Sequence, residues 1–538
     1  MSIYAIYTIP GSTPTPTPTA TPTPTATPTP TGPRQASVTW NTDTDFNQGT
    51  YTGTAVSGTG PSAVVQLATA AAGPNNTQYK RSITINNTAN ANTLTNYQVS
   101  FTLDTASLVA SGKMRSDCGD IRINDSNDST AITNYWVENC NYAATVIWVK
   151  IPTIPASSSK LIYLYYGNSS ATGLSSVPNT FLRDIPNVAA AWPMNESSGT
   201  AVADTTGNGY SGTATTSVGI VVGKFGNARS FNGTQGYIQI ANESTLPFGT
   251  SARTVCAWVS TNSLSGLSVI FDTGSTNTDQ FFAIGRKGSS LAGFGWNDDM
   301  YAPNFFSTGV WNDVCLTYDG TTATLYGNGI QLAQAAKAWN TVDSGGTFIG
   351  NDYFSDVWSG NIDELSYYTR ALSPAEIADL YNNYGYTTSN DKGHQLIRSY
   401  SSPEPVETAG NELAMYTPSG TWQSNAISLG NNLGWGDGTT GSSTAFSATV
   451  LNVSPTATIQ FEIRVATSAA GLSSASYVSL GTATGNATFT LSKAQLDALG
   501  LSTGSNEYIQ VEAVLTNTGA NTTTPQLDSL TVYYEVGS

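Results

Sequence analysis

Apolar and polar residues alternate strictly through much of this chain. Tyr79-Lys-Arg-Ser-Ile-Thr-Ile-Asn and Tyr97-Gln-Val-Ser-Phe-Thr-Leu show the pattern near one end. Ala457-Thr-Ile-Gln-Phe-Glu-Ile-Arg-Val and Glu507-Tyr-Ile-Gln-Val-Glu-Ala-Val-Leu show it near the other. Successive side chains on a strand face opposite ways, so this period of two marks strands with one buried face. Asp319-Gly320 and Gly327-Asn-Gly329 supply hairpin turns between such runs. One helix is expected, from Pro374 to Asn383. Ser373 is placed to cap it, Pro374 suits its first position, and Glu376 completes a Ser-x-x-Glu capping box. The pattern predicts an all-β chain of tandem β-sandwiches.

At 538 residues the chain is too long for one ordinary domain. Residues 1–10 are apolar but short, and read as an anchor remnant or as a donor strand for a neighbouring sheet. In residues 11–33 proline alternates with threonine. That fixes φ at every other residue and forbids helix, so a Thr/Pro-rich extended stalk is expected. Residues 34–75 hold too few strand-like pieces to bury a core and are expected to join a neighbouring sandwich. Three larger units follow, at 76–182, 187–386 and 393–538.

Composition sharpens the class. Only 10% of residues are charged, the net charge is −16 and the pI is about 4.3. A polyanion repels phosphate backbones and anionic lipid, so no nucleic-acid partner is expected. No apolar run reaches the ~18 residues of a transmembrane helix. The four cysteines fall as one pair per unit, which predicts Cys118–Cys140 and Cys256–Cys315 disulfides and an oxidising compartment. Four buried reduced thiols are the alternative. Asn-x-Ser/Thr triplets, as at Asn124, Asn168 and Asn232, fit a glycosylated surface protein. A chain so rich in Asn, Ser and Thr also forms such triplets by chance.

The middle unit carries the most specific signals. It opens with Trp192-Pro-Met-Asn-Glu-Ser-Ser-Gly-Thr and Ala203-Asp-Thr-Thr-Gly-Asn-Gly. It continues through Gly223-Lys-Phe-Gly-Asn-Ala-Arg-Ser-Phe-Asn, and closes with Gly360-Asn-Ile-Asp-Glu-Leu-Ser-Tyr-Tyr. This order resembles the laminin-G-like family, whose fold is a concanavalin-type jelly roll. The unit before it ends in Leu161-Ile-Tyr-Leu-Tyr-Tyr-Gly-Asn and resembles the DUF2341 β-sandwich family, which often precedes laminin-G-like modules. The 393–538 unit is loosely similar to galactose-binding or discoidin-like sandwiches. The laminin-G-like resemblance implies an extracellular module that binds glycans or proteins without chemistry of its own. It also implies neighbouring Trp258 and Trp311 strands, which would bring Cys256 near Cys315. A structural calcium is implied where the early Asp/Asn loop meets the late Ile-Asp strand, at Asp204, Asn208 and Asp363. The alternative for Asp204 and Asn208 is simple turn capping.

Two groups combine aromatic faces with acceptors, as sugar sites do. One is Trp296, Asn297, Asp298, Asp299 and Tyr301. The other is Tyr353, Asp356 and Trp358. Either tryptophan could equally fill the core. No catalytic residues are assigned. The one histidine, His394, sits at an expected linker, which disfavours Ser-His-Asp and Cys-His chemistry. Adjacent pairs such as Asp363-Glu364 and Asp298-Asp299 should point to opposite faces of a strand, which disfavours a two-carboxylate glycosidase. The expected function is adhesion or carbohydrate binding outside the cell, with glycans or surface glycoproteins as partners. Alternatives are a self-associating subunit of an extracellular filament, and the accessory arm of a polysaccharide-degrading enzyme.

Overall fold

The computed structural model describes residues 34–536, apart from 70–72, 128–129, 344–345, 353–355, 431, 437–443, 502–507 and 519–523. The segments expected at 1–10 and 11–33 lie outside the described residues. Among those described, no helix is long and apolar enough to cross a membrane. Antiparallel sheets dominate, as the alternation requires.

The chain divides into two compact units. The first joins residues up to Ala68 with Thr417–Ser538. It is a sandwich whose strands come from both parts. Arg34–Trp40 pairs with Gln526–Val536 from Arg34↔Val536 to Trp40↔Leu530, and Val64–Leu67 pairs with the same strand. On the facing sheet, Thr50–Thr52 pairs with Ser419–Gln423, and Tyr508–Asn517 runs beside Ala457–Ala466. Trp422 sits between the two parts: its ring meets Trp40 at 5.8 Å and Phe46 at 5.4 Å, both edge-on. The strand-like pieces of 34–75 therefore complete the C-terminal sandwich.

The second unit spans Thr69–Tyr416. This corrects the expected boundary at 393. His394–Arg398 pairs with Arg183–Pro186 and Tyr384–Tyr386, and Val406–Ala409 pairs with Tyr79–Asn86. Backbone hydrogen bonding thus ties 394–416 to the strands before it.

Within this unit, Tyr79–Asn86, Ser159–Tyr166 and Arg122–Asp125 form one sheet of a sandwich. Leu94–Leu103, Thr145–Ile154 and Tyr135–Val137 form the other. Ile83, Ile85, Phe101, Ile123, Ile147, Val149 and Leu164 fill the space between, and Cys118–Cys140 bridges its loops.

The jelly roll follows, with two eight-stranded sheets among the described residues. One runs through Asn227–Asn232, Ser359–Tyr368, Arg253–Thr261, Asn312–Tyr318, Thr322–Gly327 and Ile330–Ala336. The other runs through Ile238–Ile240, Thr347–Ile349, Leu267–Gly274, Phe281–Lys287, Ser290–Phe294 and Met300–Ala302. Trp192, Trp339 and Trp358 are wholly buried between them. Truncating one such side chain typically costs about 3–5 kcal/mol.

Cys256 and Cys315 face each other across the Arg253–Thr261 and Asn312–Tyr318 pairing and are disulfide-bonded. The helix is Pro374–Asn382, with the Ser373/Glu376 box formed. Arg370 grips the Glu376 carboxylate and, with the box, holds its pKa down at about 2. Ile377 and Leu380 press this helix against the disulfide on the outer face of the first sheet.

Candidate functional site

The outer face of the second sheet would ordinarily be polar. Here Val269, Phe281, Ala283, Ala292 and Phe294 form an apolar cluster on that face, with Leu267 and Trp296 packed against it. A register shift between Val269 and Phe271 breaks the alternation. It turns Ile270 and Phe271 into the main core while Val269 faces outward. Asp272 pairs with Ala283, and Val269 pairs with Gly285 two residues on, so Asp272 shares the outward face with Val269.

Two loops wall this platform. The first follows Phe294. Gly295 is obligatory there, since a Cβ would fall 1.9 Å from the Trp339 indole nitrogen. Trp296 and Asn297 both adopt left-handed backbone, at φ 61° each. This conformation is uncommon for any residue with a side chain and a genuine outlier for a bulky one. The loop is anchored from below. Lys337 pairs with Asp298 at 2.6 Å, and Trp339 donates to the Asp298 carbonyl at 3.1 Å. Trp296 is left half-buried, edge-on to Phe281 at 5.9 Å. The second loop brings Asp352 and Asp356. The Asp356 amide donates to Asp352 Oδ1 at 2.9 Å.

Together they bound a cleft of about 240 Å³, lined by Leu267, Val269, Phe281, Phe294, Trp296, Asn297, Asp299, Asp352 and Asp356. Burial first, then the neighbouring Asp352, pushes the Asp356 carboxyl up to about 6. Asp272 is only 2% exposed and leaves one oxygen without a hydrogen-bond partner. Burial and Asp352 hold it well above the usual carboxylate range. Asp299 accepts from the Tyr301 hydroxyl at 3.0 Å, and burial together with this bond pushes the phenol up to about 12.

The two separate groups expected from sequence thus contribute to one cleft. Trp296, Asn297, Asp299 and Asp356 line it, and Tyr301 stands beside it through Asp299. Asp298 is turned away to Lys337. Trp358 is core, its indole donating to the Ser260 carbonyl at 3.1 Å. Tyr353 lies outside the described residues. Sequence reading missed Asp352, Asp272 and the aromatic floor of Phe281 and Phe294.

The residues expected to hold calcium do not form one ligand set. Asp204 Oδ1 accepts from the Ala191 and Thr206 amides, and Oδ2 from the Gly209 and Tyr210 amides. Asn208 donates its amide to the Ala189 carbonyl. Asp363 serves another turn, accepting from the Lys224 and Phe225 amides. These oxygens face N–H donors, where a cation would be repelled, so the three residues do not fit a shared ion. Among the described residues, no group of three or more His, Cys, Asp or Glu is arranged to hold a metal.

A second group of acids lies under the first sheet. The expectation that Asp363 and Glu364 face opposite ways fails. Glu364 has φ 48°, and the opposing strand shifts register between Cys256 and Trp258. Glu364 therefore turns into a small space of about 20 Å³, lined by Phe225, Cys256, Trp258, Asp313, Ser366 and Gln395 among others. Burial lifts Asp313 to about 8. Burial and the adjacent Asp363 lift Glu364 well above its ordinary range. The His394 Nδ1 pairs with Asp184 at 2.7 Å.

The fold of this module is a concanavalin-type β-sandwich. Residues 232–378 match the family model described as the concanavalin A-like lectin/glucanases superfamily, in its laminin-G form. Residues 117–184 match a domain of unknown function, DUF2341. No curated protein matches the chain. Among solved structures, domain 4 of the GH43 extracellular arabinanase AbnA from Geobacillus stearothermophilus, in complex with arabinotriose, is 22% identical. It covers 36% of this chain and 98% of its own, with a TM-score of 0.31. The binding domain of Paraclostridial Mosquitocidal Protein 1 is 19% identical, covering 49% and 65%, with a TM-score of 0.30. The CBM40 of the Ruminococcus gnavus IT-sialidase, bound to α2,3 sialyllactose, is 17% identical, covering 29% and 95%, with a TM-score of 0.26.

Proposed function

We propose that this protein is a secreted or surface-displayed, non-catalytic adhesin whose jelly roll binds a glycan in the cleft at Trp296. One observation carries the reading. A half-buried indole and an apolar floor stand on the outer face of a sheet, ringed by the acceptors Asn297, Asp299, Asp352 and Asp356. A pyranose offers a C–H face to such a platform and hydroxyls to such a rim. The disulfides in both modules of the second unit support an oxidising compartment. The non-catalytic reading rests on the carboxyl spacing. Glycosidases hold their two carboxyls about 5–9.5 Å apart. Asp352 and Asp356 are instead close enough for their side chains to hydrogen-bond.

The test is a glycan array with the full chain and with Trp296→Ala, each with and without EDTA. Binding of a defined sugar class that Trp296→Ala abolishes supports the reading. Binding unchanged by that substitution would move the site elsewhere.

Self-association has one observation of its own. The first sheet of the jelly roll ends in Gly219–Val222 on one edge and Ile330–Ala336 on the other, and both leave apolar side chains in solvent. Val222 is 83% exposed and Ile330 is 67% exposed. Light scattering across a concentration series would show assembly if these edges pair between copies.

A further inference from the structure

The cleft lining contains three carboxyl side chains and no lysine, arginine or histidine. The nearby cations are committed elsewhere. Lys337 holds Asp298. Lys287 sits over the Tyr301 ring at 5.4 Å. Arg286 lies over the buried Trp358 ring at 5.8 Å and bonds to Ser265 and Ser268. Behind the lining stands a fourth carboxyl, Asp272, on the same face as Val269, with one oxygen unpartnered. Three carboxyls thus line one aromatic-floored hollow whose described lining holds no cationic side chain, in a chain whose net charge is already −16.

We propose that the cleft is built for a glycan carrying a primary ammonium, an amino sugar with its nitrogen unacylated, and that it excludes acidic sugars. The proposal rests on the glycan-binding reading above and adds the ligand's charge to it. A cationic sugar ring satisfies both halves of the site. Its ammonium meets the Asp352–Asp356 pair, and an indole face attracts the same charge, more strongly once water is excluded. A carboxylate on the ligand would instead meet like charge, which penalises the wrong partner.

Isothermal titration of the full chain with three oligosaccharides tests this, all after EDTA treatment at near-neutral pH. The ligands are a glucosamine oligomer, the matched N-acetylglucosamine oligomer and a galacturonate oligomer of equal length. The expected order is glucosamine tightest, by about tenfold or more over the acetylated form, equivalent to ~1.4 kcal/mol. The galacturonate oligomer should not bind. The double variant Asp352→Asn/Asp356→Asn, isosteric and therefore foldable, should bring the ratio of the first two close to one. Circular dichroism would confirm that it is folded. Equal affinity of wild type for the amine and acetylated oligomers overturns the proposal while leaving glycan binding intact. So does a preference that survives the double variant, or a neutral sugar bound only when Ca²⁺ is added back. If no oligomer binds, and the glycan array with the unsubstituted chain is also silent, the glycan reading fails and takes this one with it. Selective capture of lysine-rich peptides in place of sugars likewise overturns it.

Discussion

The jelly roll buries acids behind both of its sheets, and the two groups differ in one respect. Under the first sheet, Asp313 and Glu364 are roofed by the 374–382 helix, the Cys256–Cys315 bridge and the 394–398 strand. On the second sheet, Asp352 and Asp356 face an open cleft with an aromatic floor. Asp313 and Glu364 in the first group, and Asp356 in the second, resist ionisation. The acids of the first group border a space of only about 20 Å³, and burial favours their protonated forms as part of the packing. Asp356, at the cleft, can exchange its strain for a partner. A perturbed carboxyl is therefore informative about binding only when it also has an opening.

The largest break in this contrast comes from Asp313→Asn. The folded state raises this pKa to about 8, above the unfolded value of 3.8. Its stabilising contribution is therefore complete below pH 3.8 and drains away as pH rises towards 8. The linkage amounts to about 6 kcal/mol as an upper bound. The variant should show a flatter stability–pH curve and exceed wild type in urea midpoint on the alkaline side. Parallel curves would sink the assignment. Opening the roof is next: Cys256→Ser with Cys315→Ser removes a link across 59 residues of chain separation. The chain-entropy model puts that at about 4 kcal/mol. Thermal unfolding should drop by several degrees, with cleft binding unaffected at temperatures where the variant is folded.

A third acid belongs to neither group. Asp204 caps its own turn, so Asp204→Ala should cost about 2 kcal/mol by losing several amide bonds. The cost should be equal with Ca²⁺ or with EDTA; a loss seen only with Ca²⁺ would restore the metal reading. Trp296→Ala acts at the cleft alone. Ligand affinity should fall by about 1–2 kcal/mol, the scale of an aromatic contact, with little change in melting temperature. The smallest effect is Asp356→Asn in the free protein. Its half-exposed carboxyl should contribute less than about 0.5 kcal/mol after screening. That contribution is present at low pH and lost as pH rises through about 6.

Much of this was legible from alternation and spacing. The sandwiches, the Ser373–Glu376 box and the cysteine pairs all rest on local pattern, which one strand or turn is enough to express. The cleft was half legible. Trp296, Asn297 and Asp299 form one sequence cluster and Asp356 belongs to another, but their meeting depends on two loops nearly sixty residues apart. Phe281 and Phe294 were hidden because this sheet is apolar on both faces, and alternation then gives no sign of which face is the core. Glu364 was misread because a left-handed residue breaks the period of two that the reading assumed. Trp358 and Asp298 have the right chemistry, but packing, which sequence does not display, commits them elsewhere.

The split sandwich imposes an order of events on synthesis. Strands Arg34–Trp40 and Val64–Leu67 emerge early, yet their partner Gln526–Val536 is made only after everything between. They must wait with open edges while Thr69–Tyr416 is translated. The waiting is shortened by how that stretch finishes. Its own ends meet, Thr69 bridging Tyr416, and the flanking Thr417 amide bonds to the Ala68 carbonyl at 3.1 Å. A loop of several hundred residues is thereby reduced to a gap of two, and most of the entropy of closing it is already spent.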